Sequence, residues 1–133
     1  MKSSKFYEGK EQTYLKHFIL ENYLKKLCYT IGYSWNIDVC FVDCFAGPWE
    51  TECENYEDSS IKISLDVLKK VKKGLAENNR YANFKAVYLE KDPDNYQTLS
   101  RILKQENEIQ TVSIHGKFEN KVDEILRETN NFL

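Results

Sequence analysis

The sequence predicts an α/β domain built on a parallel sheet, because apolar segments of two kinds alternate along the chain. Short runs rich in β-branched and aromatic residues have the length of strands, and the segments between them space apolar residues as helices do. Capping and turn residues separate the two kinds of segment. A helix followed by three strand-helix units is typical of a parallel sheet, in which successive strands are joined by helical crossovers.

The first predicted element is a long amphipathic helix over residues 12–31. Its apolar positions recur at the spacing of one helical face and are Leu15, Phe18, Ile19, Tyr23, Leu27 and Ile31. Gly32 follows, and glycine commonly ends a helix. We therefore expect this face to lie against the core.

A buried strand and a second helix come next. The apolar run 39–45 predicts a strand covered on both faces. Ser59 or Ser60 is suited to cap a helix that ends near Gly74. The apolar face of this helix is Ile61, Leu65, Leu68 and Val71.

Two further strand-helix units complete the pattern. Phe84–Glu90 is predicted as a strand, and Asp92 caps a helix with Pro93 in its first turn. Residues 111–116 form the third predicted strand. The faces of the two helices are Tyr96, Leu99, Ile102 and Leu103 in the first and Phe118, Val122, Ile125 and Leu126 in the second.

Length and composition indicate one globular domain over residues 1–133. The chain is 41% hydrophobic and 14% aromatic, which excludes an intrinsically disordered protein. Nineteen basic against 21 acidic residues give a formal charge of -2, so charge indicates neither nucleic acid nor an anionic membrane as a partner. No N-terminal apolar run has the length of a signal peptide or membrane span, and a cytoplasmic location is expected.

The cysteines predict neither a metal site nor a disulfide. Cys40 and Cys44 lie on one strand, about 13 Å apart at about 3.3 Å per residue. That separation is too long for one zinc ion or for a disulfide. Cys28 falls on a helix and Cys53 in a loop, so all four are interpreted as reduced thiols.

The last four residues, "NNFL", are expected to be a loop and the first two residues of a fourth strand. In a Rossmann-like three-layer sandwich with strand order 3-2-1, a fourth strand lies beside strand 1. The chain is therefore expected to stop before that strand and to leave strand 1 as an open edge. Such an edge favours self-association, or pairing with a C-terminal half, through strand 1.

Three segments are expected to meet at the carboxyl ends of the strands, where open parallel sheets bind ligands. "DCFAGPW" follows strand 1 and offers the Asp43 carboxylate beside Ala46 and Gly47, which permit close backbone approach. "EKDP" follows strand 2 and contains Glu90 and Asp92. Glu90 ends an apolar strand and is suited to accept two ribose hydroxyls.

The third segment, "HGKF", follows strand 3 and places His115 and Phe118 to flank a flat base. An acid after strand 1 and another after strand 2 suit a ligand with an ammonium group at one end and a ribose at the other. S-adenosylmethionine has that shape and charge. We therefore expect S-adenosylmethionine as the cofactor.

Simpler interpretations stay open for single residues. Asp43 and Gly47 also suit the plain end of a strand, and Asp92 with Pro93 is explained as a helix cap. NAD is a weaker alternative, because a pyrophosphate favours a glycine-rich turn at a helix N-terminus and residues 48–50 are Pro-Trp-Glu.

Five segments together resemble the N-terminal part of the three-Cys-motif partner (TcmP) family, from about Thr13 onward. They are "TYLKHFILENYL", "FVDCFAGPW", "DSSIKISLDVL", "VYLEKDPDNYQTL" and "HGKFENKVDEIL". The resemblance implies a class I S-adenosylmethionine-dependent methyltransferase fold. It implies that Asp43, Phe45, Ala46 and Gly47 belong to the cofactor loop. It further implies that Glu90 is the ribose-binding acid and that Gly116 and Phe118 belong to the loop after strand 3.

The sequence departs from the family pattern after Pro48, where Trp49 stands in place of the usual glycine. The resemblance also implies that acceptor-positioning residues follow a fourth strand, so this chain by itself is expected to be inactive. The predicted function is the cofactor-binding half of an S-adenosylmethionine-dependent methyltransferase. The alternative is a non-catalytic Rossmann-like interaction module. The sequence does not indicate the methyl acceptor.

Overall fold

The computed structural model describes residue 5 and residues 8–34, 38–44 and 59–130. Within these ranges the chain forms four helices and three strands in the alternating order that the sequence predicts. The elements are α1 (Glu11–Ser34), β1 (Val39–Asp43), α2 (Ser60–Glu77), β2 (Phe84–Glu90), α3 (Pro93–Lys104), β3 (Gln110–His115) and α4 (Phe118–Glu128). The α/β class is therefore confirmed.

The three strands form one parallel sheet in the order β1-β2-β3. Phe41 of β1 lies opposite Ala86 of β2, which in turn lies opposite Thr111 of β3. All seven residues of the central strand β2 are buried. The carboxyl ends of all three strands consequently meet at one edge of the sheet.

One face of the sheet, here called the α2/α3 face, carries the larger part of the core. Alternate residues of β2 point to this face, and they are Phe84, Ala86 and Tyr88. The helices contribute Ile61, Leu65, Leu68, Val71, Leu75, Leu99, Ile102 and Leu103. Of the two predicted caps, Ser59 and Ser60, the structure uses Ser59, whose hydroxyl accepts from the Lys62 amide at 3.2 Å.

The opposite face, here called the α4 face, has a smaller core. Val87, Leu89 and Ile114 pack there with Ile125 of α4. Four half-buried residues pack against them, and they are Cys40, Val42, Cys44 and Val112. The end of α4 is tied to β2 by Lys85, whose Nζ donates to the Glu128 side chain at 2.7 Å and to its carbonyl at 2.9 Å.

The prediction of which side of α1 lies against the core is wrong. Most of the residues assigned to it are exposed, namely Leu15, Phe18, Ile19, Tyr23 and Leu27. The side that is buried carries His17, Leu24, Cys28 and Gly32. This side packs on α2, and a Cβ at Gly32 would collide with Leu75. Close helix contact therefore decides which side of α1 is buried.

Both glycines that were expected to end helices lie inside them. Gly32 is within α1, and Gly74 is within α2, where the Tyr29 ring lies over it. Each glycine leaves room for a side chain of the neighbouring helix. The two helices therefore continue past the positions at which the sequence predicts their ends.

Two other burial predictions are also wrong. In β1 only Val39 is buried and the other four residues are half-buried, because β1 pairs with β2 alone among the described strands. In α4 only Ile125 is buried, since one helix touches the sheet along a narrow line.

No helix among the described residues has the length and apolar composition needed to cross a membrane.

Candidate functional site

The segments after β2 and β3 meet at the carboxyl edge of the sheet. Glu90 and His115 end these strands opposite each other, and the Gly116 amide donates to the Glu90 carbonyl at 3.0 Å. Gly116 has φ +151, in the region that favours glycine, and a Cβ there would collide with Lys121. The glycine therefore permits the turn that starts α4 directly after β3.

Glu90 is a buried carboxylate at this edge, with a relative exposure of 5%. Its Oε1 accepts from the Asp92 amide at 2.9 Å. Asp92 caps α3, because its Oδ2 accepts from the Asn95 amide at 2.9 Å, and Pro93 follows in the first turn. The predicted cap is confirmed, and this short chain of bonds fixes the turn that carries Glu90.

A cavity of about 380 Å³ opens beside Glu90, within the roughly 300–1,000 Å³ of small-molecule sites. Its lining residues are Cys44, Leu89, Glu90, Lys91, Gly116, Lys117, Phe118 and Glu119. The structure therefore brings together the predicted site residues Glu90, Gly116 and Phe118. Leu89 and Phe118 give the cavity an apolar part next to the Glu90 carboxylate.

Sequence reasoning did not assign Lys91 and Lys117 to the site. Both line the cavity that Glu90 also lines, and each brings a positively charged side chain. Their positions in the sequence do indicate the site, since each lysine lies in a segment that is expected at the carboxyl edge, "EKDP" or "HGKF". They were overlooked because exposed lysines are common at turns.

Asp43 lies at the end of β1, opposite Tyr88, and is not among the residues that line this cavity. Tyr88 is fully buried, and its hydroxyl is hydrogen bonded to Ser64 of α2. Burial raises the pKa of Tyr88 above its usual range, and the negative charge of Asp43 raises it further. The Asp43 carboxylate therefore adds negative charge to the region between β1, β2 and the start of α2.

His115 does not line the cavity either. Its ring stacks on Tyr96 of α3 with centroids 4.8 Å apart, and its Nε2 lies 3.2 Å from the Lys91 carbonyl. Phe118 and His115 therefore do not flank a common space among the described residues. Three predicted site residues, Phe45, Ala46 and Gly47, lie outside the described part of the chain, as does Trp49.

A larger groove of about 800 Å³ lies on α2 and shares no lining residue with the cavity beside Glu90. Four lysines line it together with Glu21, Asp66 and Glu108. Lys69 pairs with Glu106 at 3.0 Å, and Lys72 donates to the Glu108 carbonyl at 3.0 Å. Charges of both signs are interleaved there, so the groove does not form a patch of one sign for a polyanion.

Comparisons of this chain with protein-family models, curated proteins and solved structures gave no match. A buried carboxylate beside an apolar recess accepts hydrogen bonds from neighbouring hydroxyls and leaves room for a flat, weakly polar group.

Proposed function

We propose that this chain binds S-adenosylmethionine and is the cofactor-binding half of a methyltransferase with a class I, Rossmann-like fold, as its resemblance to the three-Cys-motif partner family implies. The observation that carries the proposal is the buried Glu90 carboxylate, which lines the cavity at the carboxyl edge together with Gly116 and Phe118. Open parallel sheets bind their ligands at this edge. A parallel sheet of three strands in the order β1-β2-β3, with helices between them, is compatible with part of such a fold.

In this proposal Glu90 accepts hydrogen bonds from the two ribose hydroxyls. Its Oε1 already accepts from the Asp92 amide, which orients the carboxylate before the ligand arrives. Phe118 and Leu89 supply apolar contact to the base, and Gly116 lines the cavity beside them. A carboxylate that is buried and already oriented contributes more to binding than one that must first be desolvated.

Asp43 and the loop 45–47 are proposed to hold the methionine end of the cofactor. The negative charge of Asp43 suits the ammonium group of the ligand. Methyl transfer then moves the methyl group from the sulfonium to a nucleophile on the acceptor, and the sulfur keeps the electron pair of the broken bond. That step depends mainly on in-line placement of the acceptor.

A non-catalytic interaction module is the second candidate. It is favoured by the bond from the Asp92 amide to Glu90, which gives the acid a structural reason to be where it is. In that case Glu90 stabilises the start of α3 and binds no ligand. The two candidates differ in whether the cavity takes up a nucleoside.

Calorimetry with S-adenosylhomocysteine separates the two candidates. Glu90→Gln keeps an oxygen for the Asp92 amide but removes the charge, so we expect the dissociation constant to rise about tenfold or more. Glu77→Gln is the matched control, since Glu77 ends α2 near the opposite edge of the sheet. We expect this control to bind like the wild type.

Two results would contradict the proposal. Wild-type protein that is folded by circular dichroism and takes up no ligand at millimolar concentration does not bind this cofactor. Equal affinity of Glu90→Gln and wild type would remove Glu90 from the site.

A further inference from the structure

The side chain of His115, at the end of β3, is held against α3. Its ring stacks on the Tyr96 ring with centroids 4.8 Å apart and an angle of 18° between the ring planes. The Tyr96 hydroxyl in turn lies 3.4 Å from the hydroxyl oxygen of Ser113, two residues earlier on β3. The stacking therefore restricts how the imidazole ring of His115 is oriented.

The imidazole contacts the turn after β2 through a hydrogen bond to the backbone. Its Nε2 lies 3.2 Å from the Lys91 carbonyl oxygen. A carbonyl oxygen only accepts hydrogen bonds, so Nε2 carries the proton of this one. His115 therefore donates to the peptide group that joins Lys91 to Asp92.

The same peptide group also contacts the Glu90 side chain. Its N–H is the Asp92 amide, which donates to Glu90 Oε1 at 2.9 Å. A peptide group is planar, and in the trans form its C=O and N–H point in opposite directions. A bond that fixes the carbonyl therefore also fixes the direction in which the amide donates. Hydrogen bonds in such a chain also polarise and strengthen one another.

We propose that His115 is a positioning residue for the Glu90 carboxylate and acts through the peptide group between Lys91 and Asp92. Glu90 is buried and lines the small cavity, whereas His115 does not line it. The Gly116 amide holds the Glu90 carbonyl at 3.0 Å, so the backbone of Glu90 is fixed as well. A carboxylate that is already oriented loses less freedom when a ligand binds.

This inference rests on the proposed function, because it concerns the carboxylate that is proposed to bind the ribose. The alternative is that His115 only holds α3 on β3 by stacking. The two roles need different parts of the side chain. Stacking needs an aromatic ring, whereas positioning of Glu90 needs the Nε2 donor.

Substitutions that keep one of these two properties test the proposal. His115→Phe keeps a ring for Tyr96 but removes the donor, and we expect S-adenosylhomocysteine to bind about three- to tenfold more weakly in calorimetry, as for one lost hydrogen bond. His115→Gln restores a donor without the ring and is expected to bind more tightly than His115→Phe. Tyr96→Phe is the matched control, since it keeps the stacked ring and loses only the hydroxyl near Ser113. We expect this control to bind like the wild type.

A double-mutant cycle shows whether the effect passes through Glu90. The carboxylate is absent in Glu90→Ala, so His115→Phe is expected to cause no further loss of affinity in that background. Equal losses in the two backgrounds overturn the proposal. Wild-type affinity in His115→Phe also overturns it.

Amide hydrogen exchange without ligand separates this inference from the proposed function. We expect the Asp92 amide to exchange about three- to tenfold faster in His115→Phe than in the wild type, and at the wild-type rate in Tyr96→Phe. An unchanged rate at Asp92 in His115→Phe overturns the positioning role, whether or not the cofactor binds. A faster rate in a protein that takes up no S-adenosylhomocysteine supports the positioning contact and overturns the proposed function alone.

Discussion

The two faces of the sheet are buried to different degrees. On the α2/α3 face, side chains of β2 lie under two helices, and α1 packs on α2 behind them. On the α4 face a single helix crosses the sheet, and the residues of β1 there are only half-buried. One strand, β2, is fully buried on both faces, whereas its neighbour β1 is not.

Because of this difference, we expect one face to contribute mainly to the stability of the fold and the other mainly to binding. The α2/α3 face holds the large, fully buried side chains, and their burial provides most of the hydrophobic stabilisation. The α4 face has the small cavity at one end, and α4 exposes three apolar residues along its length, Phe118, Val122 and Leu126. We therefore expect substitutions on the first face to change folding, and those on the second to change binding.

The largest effect is expected from truncating leucines on the two faces. Leu68 is fully buried under the sheet, so Leu68→Ala should lower the free energy of unfolding by about 2–5 kcal/mol. Leu126→Ala should change it by no more than about 0.5 kcal/mol, because that side chain is largely exposed. Urea denaturation at low micromolar protein, where association is minimal, measures both. Equal losses would mean that the two faces are equally well packed.

A smaller effect is expected from the ion pair that joins α2 to the segment before β3. Burial alone would raise the pKa of Glu106, but hydrogen bonds from the Glu108 amide and from Lys69 outweigh it, and the pKa is lowered. A carboxyl whose pKa is lower in the folded state stabilises the fold above its unfolded pKa. That stabilisation is lost as the pH falls through the folded value.

Glu106→Gln tests this pH dependence. At pH 7 the variant should be less stable than the wild type by roughly 1 kcal/mol, since one charged hydrogen-bond partner is lost. The difference should shrink as the pH falls below about 4, the ordinary range of a glutamate. Urea midpoints from pH 3 to 7 measure it, with Glu124→Gln as a control whose ion pair is an exposed one within α4. A difference that stays constant with pH would contradict the role of the charge.

The smallest effect leaves stability unchanged and appears in thiol reactivity. Cys28 of α1, in the core behind the α2/α3 face, is 1% exposed, and burial raises its pKa to about 11. Cys40 and Cys44, on the α4 face, are half-buried, and burial raises their pKa as well. Because thiolates are the reactive species, alkylation at pH 8 should modify Cys28 last.

Mass spectrometry of a Cys53→Ser variant measures the order of alkylation, because the remaining cysteines are all described and are free thiols. Labelling in urea is the control, and there the three rates should become similar. Native labelling of Cys28 before Cys40 and Cys44 would show that the α2/α3 face opens more readily than the α4 face.

Local signals explain why the bounds of β2 and the start of α3 were predicted as observed. Apart from Lys85, the residues of β2 before Glu90 are apolar, and Asp92 and Pro93 start α3 through contacts within four residues. Such contacts can be read from neighbouring residues alone. The face of α1 could not be predicted in this way. Its buried side includes Gly32, which carries no hydrophobic signal, while Phe18 and Tyr23 on the other side carry a strong one.

In the candidate site, too, some residues could be predicted from the sequence and others could not. Glu90 and Phe118 were selected because each ends or follows a predicted strand, and Gly116 because the family resemblance assigns it; the structure places all three around one cavity. Lys91 and Lys117 join that cavity only because β2 and β3 lie side by side. His115 was expected to face Phe118, but stacking on Tyr96 of α3 decides its position.

The sequence by itself determined the order of helices and strands, the cap of α3 and the carboxylate at the end of β2, because these depend on periodicity and on contacts between near neighbours. The tertiary structure decided which sides of α1 and α4 are buried. It also decided which turns share a cavity and which edge of the sheet stays open in the described part. These features depend on contacts between residues far apart in the chain, such as Gly32 with Leu75 and Lys85 with Glu128, and the spacing of residues along one element does not encode them.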